Sequence, residues 1–171
     1  EQAGIVPDFL CLSKGITGGY LPLSVVMTRD AIYRAFYDDN VTRGFLHSHS
    51  YTGNALACRA ALATLEIFEL NQTLTKNRET AAKLMQAAQP IATHPRVQHF
   101  RNAGMIWAFD VESSDPAFAR DFHQRALAKE LLLRPIGNTV YFMPPYVISA
   151  AEIDTMVNVA RTAFDLALQE S

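Results

Sequence analysis

The chain has 171 residues, 49% hydrophobic and 19% charged, with Lys+Arg 15 against Asp+Glu 17 and a formal net charge of −2. This composition excludes a disordered polyelectrolyte, and no stretch approaches the ~18 consecutive apolar residues of a membrane-spanning helix. With no basic run, neither nucleic acid nor an anionic membrane is an expected partner.

The apolar run Phe9-Leu10-Cys11-Leu12 behind Pro7-Asp8 predicts a strand, and Leu21 to Thr28 predicts a second; between them lie Lys14-Gly15 and Gly18-Gly19. Thr28 is the expected cap of a helix reaching about Tyr37, with Asp30 in its first turn. Asp38 to Thr52 is polar and irregular. A long helix is expected from Asn54, apolar from Ala55 to Leu65 at nearly every position except Arg59 and Thr64, and therefore mostly buried. The polar segment Asn71 to Lys76 is the expected hinge, dividing the chain into 1–75 and 76–171.

A second, amphipathic helix is expected to end at Pro90. Beyond Val97, strands and helices alternate. Met105, Trp107, Phe109 and Val111 share one face of a strand, with Ala108, Asp110 and Glu112 on the other. Ser114-Asp115-Pro116 opens a helix that buries Phe118 and Phe122, four residues apart. Leu131 to Arg134 and Thr139 to Met143 read as short strands around a Gly137-Asn138 turn. Ser149 and Glu152 have the spacing of a capping box for a last helix, whose stripe is Ile153, Met156, Val157, Ala160, Phe164 and Leu168. The pattern is α/β in the first half and α+β in the second.

Cys11 and Cys58 have neither CxxC nor zinc-ligand spacing, so they are expected to be buried apolar side chains in a reducing, cytoplasmic setting. His47 and His49 form an HxH pair without an evident third ligand, so no metal site is expected. A chain opening at Glu1-Gln2-Ala3-Gly4, without Met or a charged-then-apolar leader, is expected to be a piece of a longer protein.

Of the four lysines, Lys76, Lys83 and Lys129 belong to polar helix faces, whereas Lys14 stands between an apolar strand and glycines, with no acid between Asp8 and Asp30. An ammonium group that loses hydration has a lowered pKa and can add to an aldehyde as a Schiff base, while neighbouring glycines let a flat ligand approach the backbone.

The segment Ser13-Lys14-Gly15-Ile16-Thr17-Gly18-Gly19-Tyr20-Leu21-Pro22-Leu23-Ser24 resembles the cofactor-lysine segment of the class III aminotransferases, which use pyridoxal 5′-phosphate. The resemblance implies a fold type I scaffold, with the end of the large cofactor domain followed by a small α+β domain. It also implies that Lys14 binds the cofactor covalently and later moves the substrate proton. His47-Ser48-His49-Ser50-Tyr51-Thr52-Gly53-Asn54 is similar to the family's loop before its long helix. By that likeness Ser50 takes the place of a phosphate-binding threonine presented across a homodimer interface.

Leu133-Arg134-Pro135-Ile136-Gly137-Asn138-Thr139-Val140-Tyr141-Phe142-Met143-Pro144-Pro145-Tyr146 resembles the C-terminal signature of the biotin-pathway branch of that family. This implies 8-amino-7-oxononanoate as amino acceptor and S-adenosylmethionine as donor. Arg134 would grip the acceptor's carboxylate with two parallel hydrogen bonds, with Tyr141, Gly15 and Ser48 completing the substrate contacts.

The family's acidic partner of the pyridine nitrogen, its glycine-rich phosphate loop and its ring-stacking aromatic are expected upstream of Glu1; Asp8 and Asp110 are poor substitutes. The alternatives are an ω-amino acid or ornithine type of the same family, or a non-catalytic assembly module on its scaffold.

Overall fold

The computed structural model describes residues 3–169; Glu1 and Gln2, on which the reading of an absent start rests, lie outside them. The chain divides into two compact units, Glu1–Gln72 and Thr73–Ser171.

In the first unit, β1 (Phe9–Leu12) pairs antiparallel with β2 (Val25–Thr28), in register from Phe9↔Thr28 to Leu12↔Val25. The second strand is shorter than the apolar run from Leu21 predicts. Pro22 has no N–H for a ladder, and β1 offers no partner beyond Leu12. Thr28 does not cap the next helix. Its hydroxyl donates to the Asp8 carbonyl at 3.0 Å, and α1 (Asp30–Phe36) follows extended Arg29 without a side-chain cap. Arg29 instead meets the Asp8 carboxylate at 2.9 Å, clasping the open end of the strand pair.

After a single 3-10 turn at Val41–Arg43, α2 (Ala55–Leu70) begins at Asn54, whose side-chain oxygen accepts the Ala57 N–H at 3.0 Å. The expected burial of α2 is reversed: its buried residues are Ala57 and Ala61, while Leu56 is 74% and Leu65 60% exposed. Helical periodicity reports which positions are apolar and not what covers them. For the same reason Cys11 and Cys58, expected to be buried, are free and exposed.

The second unit opens with α3 (Thr73–Ala87) and short α4 (Gln89–Ala92). The amphipathic helix thus stops before Pro90, which sits in the first turn of α4, where its missing N–H breaks no helical bond. A three-stranded antiparallel sheet in the order β3-β4-β5 comprises β3 (Val97–Ala103), β4 (Ile106–Val111) and β5 (Thr139–Phe142). Alternation sends Trp107, Phe109 and Val111 of β4 and Val140 and Phe142 of β5 into one core. Met105 joins them in burial, although it lies in the turn before β4.

Helix α5 (Phe118–Leu127) adds Phe118 and Phe122 from adjacent turns. Helix α6 (Ala150–Gln169) starts with the expected capping box: the Ser149 hydroxyl accepts the Glu152 N–H at 3.3 Å, and the Glu152 carboxylate accepts the Ser149 N–H at 2.7 Å. Its stripe from Ile153 to Phe164 is buried, and Leu168 is half-buried.

Leu131 to Arg134 is not a strand, because no neighbouring strand pairs with it. The tight turn at Gly137-Asn138 is closed instead by Ile136 and Thr139, which exchange backbone bonds of 2.9 and 3.0 Å.

Candidate active site

Lys14 heads a 3-10 turn, Lys14–Thr17, in the connection between β1 and β2. Its φ is +53°, the left-handed region that a residue with a Cβ seldom occupies. Such strain persists only where surrounding structure imposes it, and it concentrates at functional positions. The imposing contacts are visible. Thr17, 1% exposed, donates its hydroxyl to the Leu21 carbonyl at 2.6 Å, bridging Gly18 and Gly19, both of positive φ. Gly18 N–H closes onto Gly15 O at 3.0 Å, and α2 packs against the turn. Thr17 was not among the residues singled out from the sequence; its signal would have been a polar side chain four residues before an apolar one across a double glycine.

Lys14 is exposed, so the dehydration expected from its sequence neighbours is not supplied by the described residues. Its ammonium has no hydrogen bond or ion pair among them. A Cβ built on Gly15 or Gly19 would meet nothing within 4 Å, which leaves the turn open to a flat ligand.

Ser48 and Ser50 are exposed in the loop ahead of α2. That loop is folded on itself by His49: its carbonyl accepts the Thr52 N–H at 3.0 Å, and its Nδ1 accepts the Tyr51 N–H at 3.1 Å. The Ser50 hydroxyl is left without a partner among the described residues. A free lysine amine on an open glycine turn fits an aldehyde, and an unpaired serine hydroxyl, taken by itself, fits a phosphate oxygen. No group of three or more His, Cys, Asp or Glu among the described residues could hold a metal.

Arg134 and Tyr141 belong to the second unit and line one cavity of about 550 Å³. Alternation in β5 turns Tyr141 and Thr139 away from the core that takes Val140 and Phe142. Leu133, 8% exposed, anchors the irregular segment next to Arg134. The rest of the lining is largely apolar, including Leu131, Met143, Ile148 and Met156. Glu152 also lines the cavity, with one carboxylate oxygen held by the Ser149 N–H. The Arg134 guanidinium has no partner among the described residues. An unpaired guanidinium beside an apolar cavity suits a carboxylate on an aliphatic chain.

Lys14, Gly15, Ser48 and Ser50 therefore belong to one unit and Arg134 and Tyr141 to the other. Residues 1–164 match the family model described as "Aminotransferase class-III", and the chain belongs to that family, whose members depend on pyridoxal phosphate.

It is 46% identical over 165 residues to adenosylmethionine-8-amino-7-oxononanoate aminotransferase of Helicobacter pylori, a match covering 92% of this chain and 37% of the relative. The crystal structure of the enzyme of that name from Methanocaldococcus jannaschii superposes with a TM-score of 0.85 at 32% identity, over 94% of this chain and 39% of that one. A pyridoxal phosphate-bound amine transaminase from an uncultivated Pseudomonas species gives a TM-score of 0.84 at 31% identity, over 96% and 39%. The chain thus spans well under half the length of these proteins. Among the described residues, no helix is long and apolar enough to cross a membrane.

Proposed function

We propose that the full-length protein carrying this chain transfers an amino group to 8-amino-7-oxononanoate, giving 7,8-diaminononanoate for biotin synthesis, with S-adenosylmethionine as donor. The observation that carries this reading is the unpaired Arg134 guanidinium sharing an apolar-lined cavity with Tyr141. Residues 1–75 are read as the end of the large cofactor domain and 76–171 as the small domain.

Pyridoxal phosphate, when bound, supplies the electron sink that makes a proton on the amine-bearing carbon removable. Lys14 Nζ would hold the cofactor and, as a free amine, would accept that proton and give it back. Ser50 donates its hydroxyl to the phosphate of the partner subunit's site in a cytoplasmic homodimer, next to a helix start that favours anions. Arg134 orients the acceptor by its carboxylate, Tyr141 packs along the acceptor, and Gly15 and Ser48 border the reacting end. The 171-residue chain by itself is expected to turn nothing over.

A second reading, as an amine-type transaminase of the same family, draws on the likeness to the Pseudomonas amine transaminase, whose TM-score of 0.84 is close to the 0.85 of the Methanocaldococcus enzyme. Supplying the full-length protein with pyridoxal phosphate, S-adenosylmethionine and 8-amino-7-oxononanoate separates the two. Formation of 7,8-diaminononanoate supports the biotin-pathway reading. Turnover of simple amines with none of that product favours the second.

A further inference from the structure

Resting on the carboxylate reading of Arg134, we infer that His123 is the positioning residue for that guanidinium. His123 lies on α5 and is half-buried, and its Nδ1 is 2.7 Å from the Leu133 carbonyl oxygen. A carbonyl oxygen only accepts, so Nδ1 carries the proton.

The bond matters because of where it falls. Leu131 to Arg134 has no strand partner, so the ladder that would orient its peptide groups is absent. Two backbone anchors flank it: Leu131 N–H donates to Ala126 O at 3.0 Å, and Ile136 N–H donates to Thr139 O at 2.9 Å. Between them, the Leu133 carbonyl and the Arg134 nitrogen belong to one planar peptide unit. Holding that oxygen sets the plane from which the Arg134 side chain departs. The post that holds it is rigid, since α5 is fixed in the core by Phe118, Phe122 and Ala126, each 1% exposed or less. Without the imidazole donor, Leu133 still fills its apolar site, but the peptide can rotate and swing the guanidinium.

This role predicts a loss of discrimination and not a general loss of activity. The test compares, in the full-length protein, kcat/KM for 8-amino-7-oxononanoate with that for its methyl ester, which keeps the chain, adds one methyl group and removes the charge. Arg134→Gln should abolish the preference for the acid. His123→Leu should lower the acid-to-ester ratio about tenfold while ester turnover stays within about twofold, and His123→Asn, whose amide N–H sits close to the Nδ1 position, should restore most of the ratio. Should His123→Leu fail to fold, His123→Gln, with its donor displaced by one carbon, should lower the ratio to an intermediate value.

An unchanged ratio in His123→Leu, or in His123→Gln if the leucine variant does not fold, would overturn the inference, as would an equal loss for acid and ester. If Arg134→Gln itself keeps the preference, the carboxylate reading fails first and the positioning role falls with it.

Discussion

The two units differ in what their apolar residues touch. The second gathers Leu84, Trp107, Phe109, Phe122, Phe164 and others into one continuous buried cluster drawn from helices and sheet alike. The first buries Ala57, Ala61 and Thr17, and leaves Phe9, Tyr33, Phe45, Leu56 and Leu65 each more than half exposed. Apolar surface on this scale is more than a free-standing domain usually exposes. The contrast gives the second unit a core of its own, whereas Lys14 sits where the described residues provide geometry but little cover.

The sharpest way to break this contrast is to separate the units. Residues 73–171 expressed alone should show a cooperative thermal transition, whereas residues 1–72 alone should show none. Two cooperative transitions would mean that the first unit has a core of its own.

Single substitutions sharpen it next. Phe109→Ala, 1% exposed in the parent, should cost about 3–5 kcal/mol of unfolding free energy, while Leu65→Ala should change the isolated chain by less than about 0.5 kcal/mol. In the full-length protein the Leu65→Ala cost should rise toward that of a core residue, which denaturant titration of both forms would reveal.

A smaller, pH-dependent effect belongs to the second unit. Asp110 accepts from Thr139 Oγ1 at 2.7 Å, sits 2.9 Å from His99 Nδ1 and accepts from Arg101 at 3.2 Å; Thr139 contributes most to lowering its pKa from 3.8 to about 2. A depressed carboxylate pKa adds stability that is fully present above 3.8 and lost as pH falls toward about 2. Asp110→Asn should therefore flatten the acid side of the stability curve in that window. An unaltered curve would remove Asp110 from the account.

The helix caps act on a more local scale. Ser149→Ala and Asn54→Ala should each cost about 1 kcal/mol, measurable by chemical denaturation for the first and, for the second, only where α2 is covered.

What the sequence could disclose follows from how local each signal is. The Ser149–Glu152 box lies within one turn of helix and is realised with both bonds in place. Phe118 and Phe122 were likewise readable from their spacing alone. Lys14 stands out by its glycine neighbours and by the family resemblance of its segment, yet its left-handed backbone and the Thr17 bridge depend on a packed turn that spacing does not report. Leu131 to Arg134 looked like a strand because it is apolar, and a strand exists only if another pairs with it. Burial of α2 and of the two cysteines failed for a related reason, since apolarity is a property of the residue and cover a property of its neighbours. The bond from His123 spans ten residues between unlike elements and leaves no pattern in the sequence at all.

We propose that Lys14, held at φ +53° on an open glycine turn, is the covalent anchor of the cofactor. Borohydride reduction of the full-length protein loaded with pyridoxal phosphate, followed by peptide mass spectrometry, tests it directly. One stable pyridoxyl adduct is expected, on the peptide containing Lys14, absent in Lys14→Ala. An adduct on another lysine, or tight cofactor binding with Lys14 left unmodified, would contradict it.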